Sequence, residues 1–498
     1  MNFSLILLTF SPLVGFLVIL FLRGEQKAAI RWTALISSLV TFGLSLWVLS
    51  QFSPSAGLQL EINQPWITTA GTSISFQMGV DGLSILMVLL TGLLTPLAIL
   101  STWESVKEQV KGFMLFFLML ETGMLGVFLA QDMVLFYIFW EFTLIPMYFL
   151  IGIWGGKNRI YAAVKFFLFT MAGSVLMLLG VIYLGLTANT FSIPALAASR
   201  ETFANAQLWL FLAFAAAFAI KVPMWPLHTW LPDAHVEAPT AGSVILAGIM
   251  LKMGVYGFLR FNLPLFPEAT LTLAPYMAGL AVVGIIYGAI VSYQQHDVKK
   301  LVAYSSVSHM GFVMLGIFAL SMQSLSGSIL QMVNHGLSTG ALFLIVGMLY
   351  DRRHTREMSA YGGIWKALPV MGALMLFVTL SSAGLPGLNG FVGEFTILLG
   401  SFSSQALGSP WFTGVATLGV ILAAVYLLVM FEKVFLGPLT HDENRNLKDI
   451  NLREVLVLLP ILVMILWIGL YPNYFFNLIN PTVERLSAVL QTAAMAMP

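Results

Sequence analysis

Cysteine is absent from the 498 residues. That absence excludes disulfides, thiolate-ligated iron–sulfur clusters and cysteine zinc sites. Charge is scarce too: Asp, Glu, Lys and Arg make up 9% of the chain, against about 25% in a soluble protein. A formal net charge of +1 points to no charged partner, and nothing in the composition suggests nucleic acid. No Gly-rich nucleotide loop is present, and the polar loops are too short to hold a soluble domain. What fills the chain instead is apolar. Hydrophobic residues reach 59%, and runs of membrane length recur from end to end. The chain therefore reads as an all-α polytopic membrane protein. At roughly 35 residues per span and loop, about 14 transmembrane helices fit. Residues 1–22 carry no basic stretch before the apolar run and read as a first span, not a cleaved signal.

Spans are expected near 2–22, 30–51, 79–101, 112–130, 132–153, 162–186, 206–234, 240–261, 272–294, 299–320, 325–350, 367–402, 411–436 and 452–471. The polar, alternating stretch 53–78 reads as a β-hairpin on one surface. Basic residues fall in alternate loops: Arg23, Lys27 and Arg31; Lys107 and Lys111; Lys157 and Arg159; Lys299 and Lys300; Arg352, Arg353, Arg356 and Lys366; Lys433, Arg445, Lys448 and Arg453. The opposite side holds only Arg200, Arg260 and Arg485. The positive-inside rule then places both termini on the non-cytoplasmic side.

Two stretches interrupt membrane-length segments. Pro223 and Pro226 break the seventh, and Gly384, Pro386 and Gly387 break the twelfth. Each is the fourth of five consecutive spans. Five is an odd number, so successive copies have opposite topology, and matching breaks in inverted repeats point to a transport site. The expected division is 1–111 for the first three spans with the hairpin, and 112–261 for the first five-helix repeat. Residues 272–436 then form the second, inverted repeat, and 452–498 the last span with a C-terminal amphipathic helix. That helix, from residue 473, reads as a surface element against a neighbouring subunit, with Phe475 and Phe476 at the membrane interface.

Ionisable residues at membrane depth are costly and mark function by default. They are Glu121, Glu141, Lys165, Lys221, Lys252, His309, His335 and Glu394, with His228, Asp233, His235 and Glu237 after the first break. Read together they form a proton relay. Glu141 tunes Lys221, Lys252 and the two histidines carry the proton laterally, and Glu394 releases it. The bland reading differs by residue. Glu141 with Lys221 is a packing ion pair, and Lys165 snorkels to the surface. His309 bonds a neighbouring serine, and the cluster from His228 to Glu237 is a polar helix end rather than a proton entrance. Haem ligation by His309 and His335, and a metal site at His228, Asp233, His235 and Glu237, need more assumptions than transport does.

Several stretches carry a resemblance. They are FWEFTLIPMYFLI (139–151), KVPMWPLHTWLPDAH (221–235), LKMGVYG (251–257), YSSVSHMG (304–311), NHG (334–336) and GFVGEF (390–395). Together they resemble the antiporter-like subunits of respiratory complex I, a family related to multisubunit Na⁺/H⁺ antiporters. The resemblance covers nearly the whole chain and is greatest to the subunit 4 type, NuoM in bacteria and NdhD in cyanobacteria and plastids. It implies that Glu141, Lys221, Lys252 and Glu394 are the pumping residues, connected by His309 and His335; His228, His235, Glu121 and Lys165 are accessory or proton-entry candidates from their position in the chain. It implies no cofactor in this chain, with iron–sulfur clusters and quinone in other subunits. The implied partners are the other membrane-arm and hydrophilic-arm subunits and lipid. The implied location is a bacterial inner membrane or a cyanobacterial thylakoid, the electron donor being NAD(P)H or ferredoxin. The wording GIWGGKNRIYAAVKFFLF looks cyanobacterial, whereas WEFTLIPMY departs from the plastid-like form, so a carbon-uptake variant is one reading. Two other functions use the same residues: a Na⁺/H⁺ antiporter subunit without redox coupling, and a structural scaffold.

Overall fold

The computed structural model describes residues 3–69 and 72–496. Apolar stretches with no water beside them must close their backbone hydrogen bonds internally, so they form helices. The chain opens with α1 (Ser4–Phe21) and α2 (Lys27–Gln51), then the antiparallel hairpin β1 (Gln59–Thr69) and β2 (Thr72–Val80), then α3 (Ile85–Ser101). Next come α4 (Val110–Leu129), α5 (Met133–Trp154), α6 (Arg159–Ala188), the short α7 (Ile193–Ala198), α8 (Gln207–Lys221) and α9 (Trp230–Glu237). The span Thr240–Leu265 is made of α10 (Thr240–Ile245), α11 (Leu251–Gly257) and α12 (Leu263–Leu265), separated by π-helical turns at Leu246–Met250 and Phe258–Asn262. The second half holds α13 (Pro267–Tyr293), α14 (Val298–Phe318), α15 (Met322–Arg353), α16 (Pro369–Ser382), α17 (Asn389–Phe402) and α18 (Trp411–Phe435). Finally come α19 (Leu452–Leu470) and α20 (Asn473–Ala496).

Among the described residues, 12 helices are long and apolar enough to cross a membrane, and α3 and α16 are shorter apolar helices that complete the expected spans. The packing repeats. In the first half α6 lies against both α8 and α9, the two pieces of the interrupted segment. In the second half α15 lies against both α16 and α17 in the same way. Burial separates the helices by role. The apolar windows of Thr240–Leu265 and of α15 are 100% buried and that of α14 is 94% buried, whereas those of α1, α2, α6, α18 and α19 are at most 39% buried. The helices that carry Lys252, His309 and His335 thus form the interior, and lipid-facing helices surround them.

Both interruptions have a local cause. Beyond α8, Pro223 and Pro226 lack the N–H a continuing helix requires. Trp230 Nε1 donates to the buried carbonyl of Ile220 at 2.8 Å, so α9 supplies a donor to the broken end. Between α16 and α17 the chain turns through Gly384 and Gly387 at φ +77° and +92°, where a side chain would be strained.

The hairpin is tied to the bundle by Asp132, the N-cap of α5. Its Oδ1 accepts from the backbone N–H of Val134 and Leu135 (2.9 and 3.2 Å), and its Oδ2 accepts from that of Ser75 at 3.0 Å. At the far end of the bundle, Asn451 and Glu454 form a capping box on α19. The same Glu454 takes a two-pronged ion pair from Arg352 at 2.8 and 2.7 Å.

Three placements differ from the sequence reading. Arg260, counted with the residues of the non-cytoplasmic side, turns inward: it lies in the last turns of the eighth span, 8% exposed. Its guanidinium bonds both oxygens of buried Asp81 at 2.7 Å, while its Nε donates to Tyr256 Oη at 3.0 Å. Lys299 also turns inward, donating to the carbonyls of Ala238 (2.5 Å) and Val236 (3.3 Å) where α9 ends. Phe475 is buried rather than at the interface, its ring 5.3 Å from Trp467, because α20 folds back onto α12, α13 and α15 of its own chain.

Candidate functional site

Two short hydrogen bonds lie at the heart of the bundle. Lys252, on α11 just past the first π turn, shares one with His335 Nδ1 of α15 at 2.7 Å. It also donates to Ala247 O within that π turn, a carbonyl that the altered backbone repeat presents to the side chain. His309 of α14 shares the other with Glu394 Oε1 of α17, again at 2.7 Å. The two imidazole rings face one another with centroids 6.0 Å apart. All four residues are at most 4% exposed. Four residues named from the sequence are therefore brought into one line across α11, α15, α14 and α17.

The gap between the two rings is polar. A small cavity there is bounded by His309, Gln331, Asn334, His335, Ser338 and Ser381. His335 Nε2 is buried and has no hydrogen-bond partner. A polar pocket with an unsatisfied nitrogen is where an ordered water is at home.

Lys221 stands apart. It ends α8 at 1% exposure, and its Nζ has no hydrogen-bond partner. It lies 5.2 Å from the centre of the Trp140 ring and 5.6 Å from that of Phe166, a cation–π cage rather than a salt bridge. Glu141 is half-buried on α5, with Oε1 unpartnered, and no ion pair within 4.0 Å joins it to Lys221. The packing-pair reading of Glu141 and Lys221 needs a direct contact, and among the described residues no such ion pair forms. Glu141 does interact with Tyr137, one turn earlier on the same helix.

The accessory residues divide. Lys165 is paired with Asp233 at 2.7 Å, with side chains 21% and 37% exposed, rather than snorkelling alone. Glu237 Oε2 accepts from the backbone N–H of Asn158 at 2.9 Å, which ties the end of α9 to the start of α6. His235 is fully buried and stacked on Phe343 with centroids 4.8 Å apart, both ring nitrogens unpartnered. His228 sits edge-on to Tyr287 at 5.0 Å. Glu121 is fully buried in α4 with neither oxygen bonded. Among the described residues no cluster of His, Asp and Glu gathers in the manner of a metal site. His309 has both nitrogens engaged, which leaves it no free atom for haem, and its partner is not a serine but a carboxylate.

Several site residues were not singled out from the sequence. Tyr426 of α18 places its hydroxyl 3.2 Å from His309 Nε2. Gln331 donates to Glu394 Oε1 at 3.1 Å. Asn389, the first residue of α17, accepts at Oδ1 from Ser381 (2.5 Å) and Ser338 (3.3 Å), and its backbone carbonyl accepts from Asn334 Nδ2 at 2.8 Å. This web fastens the second interruption to α15 one residue from His335. A polar residue on a fully buried helix was the available signal for Gln331, Asn334 and Ser338. A tyrosine in an aromatic-rich span gave none.

Known proteins resemble this chain over nearly its whole length. The family model described as NADH:quinone oxidoreductase/Mrp antiporter, TM, matches residues 130–425. NADH-quinone oxidoreductase subunit M of Rhodobacter capsulatus is 47% identical over 497 residues, covering 96% of this chain and 95% of the relative. NADH-ubiquinone oxidoreductase chain 4 of Marchantia polymorpha is 43% identical, with 95% of each chain covered. In solved structures, a chain of respiratory complex I from Thermus thermophilus superposes with a TM-score of 0.87 at 34% identity, covering 98% of this chain and 99% of that one. A chain of the archaeal membrane-bound sulfane sulfur reductase reaches 0.82 at 25% identity, covering 94% of this chain and 76% of that one. The matched region holds Glu141, Lys221, Lys252, His309, His335 and Glu394. The chain belongs to the NADH:quinone oxidoreductase/Mrp antiporter transmembrane family, with the subunit M type among its relatives.

Proposed function

We propose that this chain is a proton-translocating membrane-arm subunit of a complex I-type NADH:quinone oxidoreductase. Protons move through its buried Lys221, Lys252, His335, His309 and Glu394, with Glu141 setting the charge on Lys221. The observation that carries the proposal is the pair of 2.7 Å hydrogen bonds, Lys252 to His335 and His309 to Glu394, separated by one polar gap. Each is short enough for direct proton transfer.

The steps follow from the atoms. Lys252 Nζ gives a proton to His335 Nδ1, and Nε2 of the same ring releases one to water in the gap. That proton reaches His309 Nε2 through the Tyr426 hydroxyl, which takes one up from the gap as it gives one to the ring, and Nδ1 releases one to Glu394 Oε1. A ring that receives at one nitrogen and gives at the other changes tautomer, so the next transfer waits until it resets. Lys221, held by ring faces and no carboxylate, is open to control by a charge that moves. Bringing the Glu141 carboxylate closer favours the charged lysine, and withdrawing it favours proton release.

Redox chemistry belongs to other subunits in this reading, since a chain without cysteine cannot hold the usual clusters. The basic loops face the cytoplasm, and both termini face the other side. Relatives named as NADH-quinone and NADH-ubiquinone oxidoreductase subunits favour NADH and a respiratory quinone. The family model also covers Mrp antiporters, which keeps a Na⁺/H⁺ antiporter as the second reading. A thylakoid, plastoquinone-reducing form rests only on the wording of residues 152–169.

The test uses the purified complex in sealed liposomes. With Lys221→Ala or Glu141→Ala, NADH-driven acidification should collapse while the subunit composition stays complete. Undiminished pumping in both variants would leave these residues a packing role only. Dissipation of a Na⁺ gradient without any electron donor would favour the antiporter.

A further inference from the structure

The face opposite the Lys- and Arg-rich loops has three basic residues of its own, Arg200, Arg260 and Arg485. All three line one cavity of about 470 Å³, between the foot of the hairpin, α7, the end of α12 and α20. On a face so poor in positive charge, convergence of every basic residue on one cavity is the mark of a site for an anion.

The charges there do not cancel. Arg260 is matched by Asp81, which it grips with two bonds of 2.7 Å. Glu61, the other acid in the wall, accepts from Gln77 Nε2 at 2.9 Å. Arg200 and Arg485 form no ion pair among the described residues. Each makes only a long contact to a backbone carbonyl, Arg200 to Pro264 at 3.4 Å and Arg485 to Ala56 at 3.5 Å. Two guanidinium forks therefore stand at the rim with most of their donors free. A second observation points inward. Gln131 is fully buried, lines the cavity, and has an Oε1 with no hydrogen-bond partner. A buried acceptor left without a donor is costly unless a ligand or water supplies one. The rest of the wall is apolar, including Leu58, Ile193, Leu259 and Leu486.

We propose that this cavity binds the phosphate of an acidic phospholipid headgroup. Arg200 and Arg485 grip the phosphate oxygens, Gln131 accepts from a headgroup hydroxyl, and the apolar wall receives the start of the lipid chains. Planar forks suit phosphate geometry, and an amphiphile matches a wall that is charged at the rim and apolar inside. The site is independent of the proton relay.

The experiment uses the intact complex, stripped of lipid in detergent and titrated separately with phosphatidylglycerol, phosphatidylcholine and inorganic phosphate. Lipid retained per complex is read by mass spectrometry. The wild type should hold phosphatidylglycerol at one site more than the Arg200→Gln/Arg485→Gln variant, with affinity at least about tenfold greater. The Arg200→Lys/Arg485→Lys variant, which keeps the charge, should recover part of it. Equal phosphatidylglycerol retention in wild type and Gln variant would overturn the proposal. Binding of inorganic phosphate without the lipid would overturn the headgroup assignment. So would a cross-linker placed at position 485 that captures an acidic segment of a neighbouring subunit in the lipid-free complex. Should the Gln variant fail to assemble, the wild-type titration decides alone: phosphatidylglycerol must outcompete phosphatidylcholine at the added site.

Discussion

Lys221 and Lys252 are both buried lysines on short helices, yet their surroundings differ. One is caged by Trp140 and Phe166, and the other is bonded to His335 and to a π-turn carbonyl. In the relay proposed above, that difference divides their roles: the caged lysine would respond to a moving charge, and the bonded one would hand on a proton. Tyr426 extends the same logic, because it meets the nitrogen of His309 that faces away from Glu394. Tyr426→Phe keeps the ring and removes only the hydroxyl. The loss of a hydrogen bond worth about 1 kcal/mol should slow proton transfer about fivefold. The rate of NADH-driven acidification measures it, and a rate equal to wild type would remove Tyr426 from the relay. Asp81 makes a different claim. It holds a buried guanidinium, so Asp81→Ala leaves an uncompensated charge and should destabilise by about 3–5 kcal/mol. The thermal midpoint of the purified complex, or the yield of assembled subunit, reports that loss. Replacing both partners by apolar residues should restore much of it.

Helices and their interruptions carry the next level. The prolines and glycines that break α8 from α9 and α16 from α17 are plain in the sequence, because each removes a donor or demands a backbone angle. The π turns around α11 were not legible. Nothing in LAGIM or FLRFN marks a change of helical repeat, which is settled by packing against α8 and α15. Residues 70–71 and 497–498 lie outside the described residues, but the hairpin and the amphipathic helix stand where their patterns predict. The second break makes its own prediction. A methyl group on Gly390 would lie 2.1 Å from Ser381 O, whereas one on Gly414 would meet nothing within 4 Å. Gly390→Ala should therefore destabilise by about 1–3 kcal/mol, and Gly414→Ala should not. Comparing the two thermal midpoints checks it; equal midpoints would mean that α16 and α17 can part at little cost.

At the scale of the whole molecule, the sequence showed that charged residues lie at membrane depth but not which of them touch. Lys252 and His335 are far apart in the chain, and only the packing of the eighth span against α15 brings them together. The same holds for Asp81 and Arg260, which lie far apart in the chain and meet only in the fold. Lys299 was hidden for another reason. Basic residues at helix starts are usually solvated, and here the carbonyls at the end of α9 take its donors instead. Glu141 and Lys221 show the converse, a suspected pair that forms no ion pair, Lys221 lying against the Trp140 and Phe166 rings instead. The central claim is that protons pass through this chain by way of Lys252 and His335. Its most direct test is proton release per electron pair in sealed vesicles with Lys252→Ala, alongside NADH oxidation by an artificial acceptor. The account predicts fewer protons per electron pair, with oxidation by the artificial acceptor and subunit content unchanged. Wild-type stoichiometry in that variant would contradict it.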